Sequence, residues 1–177
     1  MEVPSVVIVL VLGFVAACCL ADIQTRRIPN LLSIPAIVAG LLLNWLWLGL
    51  PGIAHSARGI LLVVAVLIGP FGFGGIGGGD VKMMAAVGAL LGPHLALASL
   101  GMGMALGGIM MVIHLVRLGR FWEKLGATAR MILTAAATLS LAPLKASSIP
   151  ASSAITLPYS VPLGLGTIAA IGLAFRG

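Results

Sequence analysis

The sequence predicts an all-α fold, a polytopic integral membrane protein of about six transmembrane helices, and three observations carry that expectation. Of 177 residues, 60% are hydrophobic and 8% charged, against about 25% charged in an ordinary soluble domain. Mean hydropathy is +1.21. The apolar residues also fall in runs close to the ~20 residues that cross a bilayer core. A chain of this composition lacks the polar residues to coat a soluble core, so lipid is its expected solvent, and at this length a single domain, 1–177, is expected.

The first run, Val3 to Ala21, is ended by Asp22. Met1-Glu2-Val3-Pro4 lacks the basic region of a cleavable signal, so the run is expected to stay as a helix. A polar link, Asp22 to Asn30, carries Arg26 and Arg27 and leads into the second run, Leu31 to Leu50, where Trp45 and Trp47 suit an interfacial belt. After Pro51 to Arg58, which contains His55, a third run extends from Gly59 to about Phe73. It dissolves into a stretch, 72–79, with six glycines in eight residues, a composition that resists regular helix.

Asp80-Val81-Lys82 opens a fourth run, and Gly92-Pro93 breaks it because Pro removes a backbone donor. The fifth run is Leu95 to Val116. Arg117 to Arg130 sets four basic residues, Arg117, Arg120, Lys124 and Arg130, against Glu123, and reads as an aqueous loop. Met131 to Leu144 is apolar but fourteen residues long, so an interfacial or re-entrant piece is expected rather than a span. Val161 to Phe175 closes the series.

The net charge of +6 does not point to nucleic acid, since the ten Lys and Arg sit between apolar runs and are not interleaved with aromatics. Their role is topological. With the N-terminus outside, Arg26, Arg27, Lys82, Arg117, Arg120, Lys124, Arg130 and Lys145 fall on the cytoplasmic side, leaving Arg58 and Arg176 outside. The adjacent Cys18 and Cys19 read as small packing residues rather than a metal site or disulfide. His94 and His114 lie in apolar surroundings and His55 on the opposite face, so no metal site is expected. The eight methionines read as packing or groove lining, and no cofactor is expected.

Four acids occur in the chain, and only Asp22 and Asp80 adjoin membrane-embedded structure. An ionisable residue there is costly and marks function, although an Asp opening a helix also serves as a cap and Asp22 with Arg26 and Arg27 also fits an ordinary helix boundary. From Asp80 to Gly92 is about 18 Å of helix against a core of about 30 Å, whereas Asp22 lies about 28 Å from Val3. Tilt, local thinning or a re-entrant glycine segment is needed to bring the two level. Glycines beside Asp80 let an extended backbone approach, and unwound backbone at membrane depth is tolerated only beside a cavity or buried protein. Two close carboxylates share a proton, one serving as base and the other as acid. Gly79→Val is expected to damage function far more than Gly40→Val inside the second helix, since Gly79 adjoins Asp80.

These residues resemble the prepilin peptidases, intramembrane aspartyl proteases of the GxGD type. Gly77-Gly78-Gly79-Asp80-Val81-Lys82 is similar to that family's GxGDxK motif, Asp22 with Ile28-Pro29-Asn30 to its first aspartate and downstream Ile-Pro-Asn, and Pro158-Tyr159 with Pro162 to the stretch that begins its last helix. The resemblance implies Asp22 and Asp80 as the catalytic pair, and removal of the basic leader from type IV pilin or pilin-like precursors at the cytoplasmic face of the bacterial inner membrane. The long bifunctional members carry Cys-x-x-Cys motifs in a cytoplasmic domain that methylates the new N-terminus, and this sequence has no such insert. The compact form is similar to the branch that processes Flp-type pilins of tight-adherence pili, with archaeal preflagellin peptidases second.

Gly77, Gly79, Lys82, Arg27, Pro29 and Asn30 are the further candidates for substrate binding or shaping of the site. Lys82 stands two positions from Asp80, so on a helix the pair does not face each other, and Lys82 reads as a snorkelling anchor or leader-positioning group. Arg26 and Arg27 read first as positive-inside anchors. Pro29 sets the backbone where the second helix begins, with Asn30 as its cap. The alternative from another class is a small proton- or ion-coupled transporter, which two intramembrane acids beside a broken helix also describe.

Overall fold

In the computed structural model, residues 4–72, 76–119, 122, 126 and 159–175 are described. They form helices α1 (Ser5–Thr25), α2 (Asn30–Leu48), α3 (Leu50–Gly72), α4 (Gly78–Arg117) and α5 (Ser160–Ala174), with no strand among the described residues. The first four are long and apolar enough to cross a membrane, and α5 is a shorter apolar helix. The chain is thus a multi-pass, all-helical protein. Six crossings are not reached among these helices, and the Met131 to Leu144 piece, most of the Arg117 to Arg130 loop, Lys145, Pro158 and Arg176 lie outside the described residues.

Helices α1, α2 and α3 each present a narrow seam inward and leave large apolar side chains outward, the reverse of a soluble domain, whereas the first arm of α4 is buried on every side from Met83 to Gly92. Val7, Val11, Val15 and Cys18 recur at helical spacing along α1, and Gly52, Ser56, Gly59, Val63 and Leu67 along α3. Leu31, Leu46 and Leu61 stand exposed, where lipid would meet them. Since lipid tails are as apolar as leucine, such helices associate through close packing of small residues. Gly88 faces Gly59, and a Cβ on Gly88 would lie 2.7 Å from the Gly59 carbonyl. Gly40 likewise presses on the Ala89 backbone, with 2.7 Å left for a Cβ. A side chain at Gly40 would therefore have to displace the α4 backbone, so Gly40 is not an open position against which to compare Gly79.

Three boundaries differ from the sequence reading. α1 runs one turn beyond Asp22 and stops where Arg26 adopts a left-handed backbone, φ 52°, its N–H donating to the Asp22 carbonyl. Pro51 to Arg58 is helical, because Pro51 falls in the first turn of α3, where its missing donor costs nothing. Gly78 and Gly79 are helical as well, since α4 begins at Gly78.

The break expected at Gly92-Pro93 is present. Gly92 takes φ 76°, ψ −177° inside α4 and divides it into two arms. Gly88 beside Gly59 and Gly92 beside His55 set the first arm antiparallel to α3, while Gly103 beside Leu163 and Gly107 beside Tyr159 and Pro162 set the second antiparallel to α5. Because α5 begins next to Asp22, the second arm returns toward the end of the bundle from which Asp80 departs. Pro93 supplies no N–H for the Ala89 carbonyl. Asn44 Nδ2 (3.0 Å) and Ser56 Oγ (2.8 Å) donate to it instead, the repair a proline break inside a membrane requires.

Candidate active site

Helix ends build this site. α1 brings Asp22 to its last turn, and α4 carries Asp80 in its first turn, 8% exposed. Between them runs the link from Arg26 to Pro29, shaped by the left-handed Arg26 and by the Thr25 hydroxyl, which lies 2.9 Å from the Arg27 carbonyl. Asp22, Arg26, Arg27, Ile28, Gly77, Gly78, Gly79, Asp80 and Lys82 line one cavity of about 280 Å³. The two aspartates and most of the other sequence candidates thus come together in space.

The glycines clear room chiefly for the protein's own atoms. A Cβ on Gly79 would meet Ile28 Cβ at 3.2 Å, one on Gly77 the Asp80 Oδ2 at 3.2 Å, and one on Gly78 the Phe71 ring at 3.4 Å. The expected role of Gly79 in admitting an incoming backbone is therefore joined by a second one, seating Ile28 beside Asp80. Gly77 N–H also donates to Asp80 Oδ2 at 3.3 Å, so Asp80 caps its helix as well as lining the cavity.

Asn30 departs from its expected role. Pro29 occupies the capping position of α2 with no side-chain cap, and Asn30 Oδ1 accepts a hydrogen bond from Lys82 Nζ at 2.8 Å. Lys82 is thereby tied to the start of α2 at the cavity rim. It does not pair with Asp80, as the spacing indicated.

Sequence reasoning missed two contributors. Ser160 Oγ donates to Asp22 Oδ2 at 2.6 Å, and Cys19 Sγ donates to the Ser160 carbonyl oxygen at 3.3 Å. The available signal was a small polar residue inside Pro158-Tyr159-Ser160-Val161-Pro162, at the opening of the last helix. His55 and His94, assigned to opposite faces, line one larger apolar cavity at the far end of the bundle, because the Gly92 turn carries His94 over α3. Among the described residues no group of three or more His, Cys, Asp or Glu is placed to hold a metal.

The fold and the site together define a helical multi-pass membrane protein with two carboxylates in one cavity among helix ends. The model of the Type IV leader peptidase family matches residues 9–112, a span that includes both aspartates, and the chain belongs to that family. It is accordingly a peptidase, a hydrolase whose substrates are prepilins, and the family does not favour the transporter alternative. Comparison with curated proteins and with solved structures found no match.

Proposed function

We propose that the protein is an aspartic endopeptidase that removes the basic leader from Flp-type prepilins, with Asp22 and Asp80 as its catalytic pair. The observation that supports this reading is the placement of both carboxylates in one cavity of about 280 Å³ with the Gly77 to Gly79 backbone. Two such groups share a proton. The basic member takes a proton from water as the water oxygen attacks the scissile carbonyl, and the acidic member protonates the carbonyl oxygen. The roles then reverse, so that the departing amine receives a proton as the C–N bond breaks. Which residue begins as base belongs to the pair and not to either member.

Arg27, Pro29, Asn30, Gly77, Gly79 and Lys82 shape the site in this reading, with the Lys82 to Asn30 bond fixing the rim. Residues 1–177 act as a single membrane-embedded peptidase domain in this reading. Cleavage takes place at the cytoplasmic face of the bacterial inner membrane, where the positive-inside bias of Arg26, Arg27 and Lys82 puts the cavity and where a basic leader is held by the same bias. The partners are the prepilin precursor and the bilayer, and no cofactor or metal takes part. Co-expression with a short prepilin, followed by separation of precursor and mature forms, tests the assignment: Asp22→Asn and Asp80→Asn are each expected to leave only precursor while inserting normally. Normal maturation with either variant would refute it.

A further inference from the structure

We propose that Ser160 is a positioning residue of the carboxylate pair, holding Asp22 in the orientation in which it lines the cavity with Asp80, so that α5 completes the site. This deepens the reading of Asp22 and Asp80 as the catalytic pair and rests on it. Ser160 Oγ donates to Asp22 Oδ2 at 2.6 Å, within the short range of hydroxyl-to-carboxylate bonds. Ser160 is fully buried, whereas Asp22 is only half-buried at the end of its helix. The aspartate could otherwise turn among its rotamers, and the serine engages one carboxylate oxygen while leaving the other for water or for the shared proton.

The serine is itself held in place. Cys19 Sγ donates to its carbonyl oxygen, and Gly164, one turn along α5, lies so near α1 that a Cβ would stand 2.8 Å from Cys19 Sγ and from Val15 Cγ1. That close approach seats the start of α5 against the last turns of α1. Ser160 is also the first residue of α5, so the positive end of that helix faces the same carboxylate. A hydroxyl in this position acts through Asp22 and touches no substrate.

The test is steady-state cleavage of a purified prepilin by the full-length enzyme in detergent under reducing conditions, with Ser160→Ala and the nearly isosteric, weakly donating Ser160→Cys. Both are expected to lower kcat about ten- to hundredfold, the effect of losing one hydrogen bond to a charged group, with KM within about twofold and thermal stability near that of the parent. Wild-type kcat in either variant overturns the proposal, as does loss of the folded protein in both, since the serine would then be structural. Asp22→Asn and Asp80→Asn run beside them. If these still cleave, the pair itself is wrong; if they are inactive while the Ser160 variants keep full kcat, only the serine's role falls.

Discussion

Asn44 donates to the carbonyl of Ala89 at 3.0 Å, the group that Pro93, four residues further on, leaves without a backbone partner. Ser56 shares the task at 2.8 Å, so two helices repair a break in a third. Asn44→Leu is expected to cost about 1 kcal/mol, the usual scale of a side-chain hydrogen bond between membrane helices. Asn44→Leu with Ser56→Ala is expected to cost more than the sum of the single changes, because the carbonyl loses its last donor only in the pair. Reversible unfolding in mixed detergent micelles measures both, and strictly additive effects would mean that the carbonyl is satisfied by other means.

For Asp22 and Asp80 the arithmetic of combined substitutions is the sharper test. Groups that act as a unit lose function once, so each Asn variant is expected to reduce cleavage on the order of 10³-fold and the double variant no further. A double variant worse by the product of the singles would describe two independent sites.

Gly79→Val is expected to impair cleavage at least about tenfold, because the new side chain meets Ile28 at 3.2 to 3.4 Å and one of the two must move. Gly101→Val, with nothing within 4 Å of its Cβ position, serves as the comparator and is expected to remain within about twofold. Gly40 is unsuitable for that purpose, since its substitution would push Ala89 backbone aside. Equal activity of the Gly79 and Gly101 variants would show that the Gly79–Ile28 contact is of no consequence to the chemistry.

Topology can be read from single cysteines at Gln24, exposed beside the site, and at Leu50, exposed at the far end, in a Cys18→Ala, Cys19→Ala background. With an impermeant thiol reagent on intact cells, position 50 is expected to label and position 24 to remain protected. The opposite pattern would move the site to the outer face.

Much of the fold was legible because charges and prolines in an apolar chain have few explanations. Asp22 and Asp80 stood out as the acids adjoining spans, and Gly92-Pro93 announced a break that the backbone of Gly92 makes. Proline at Pro51 misled, since a residue that stops a helix also starts one. Contacts between distant segments left no trace. Ser160 is small enough to fit anywhere, and nothing local ties it to Asp22. Asn44 gave no signal of its own beside Trp45 and Trp47, because the Ala89 carbonyl to which it donates lies 45 positions away. The tightness around Gly40 depends on which helix lies opposite, and a single sequence does not contain that information.

The hydrogen bond from Ser160 to Asp22 joins residues 138 positions apart, and it bears on the order in which the protein comes into being. While the chain is being made, Asp22 emerges early and Asp80 follows, yet the residue that orients the first carboxylate arrives only with the last described helix. A chain stalled anywhere before α5 would carry both acids without that alignment. Hydrolytic competence on this account is acquired only once α5 has been made, when helices α1 to α4 are already buried against one another and no longer within its reach.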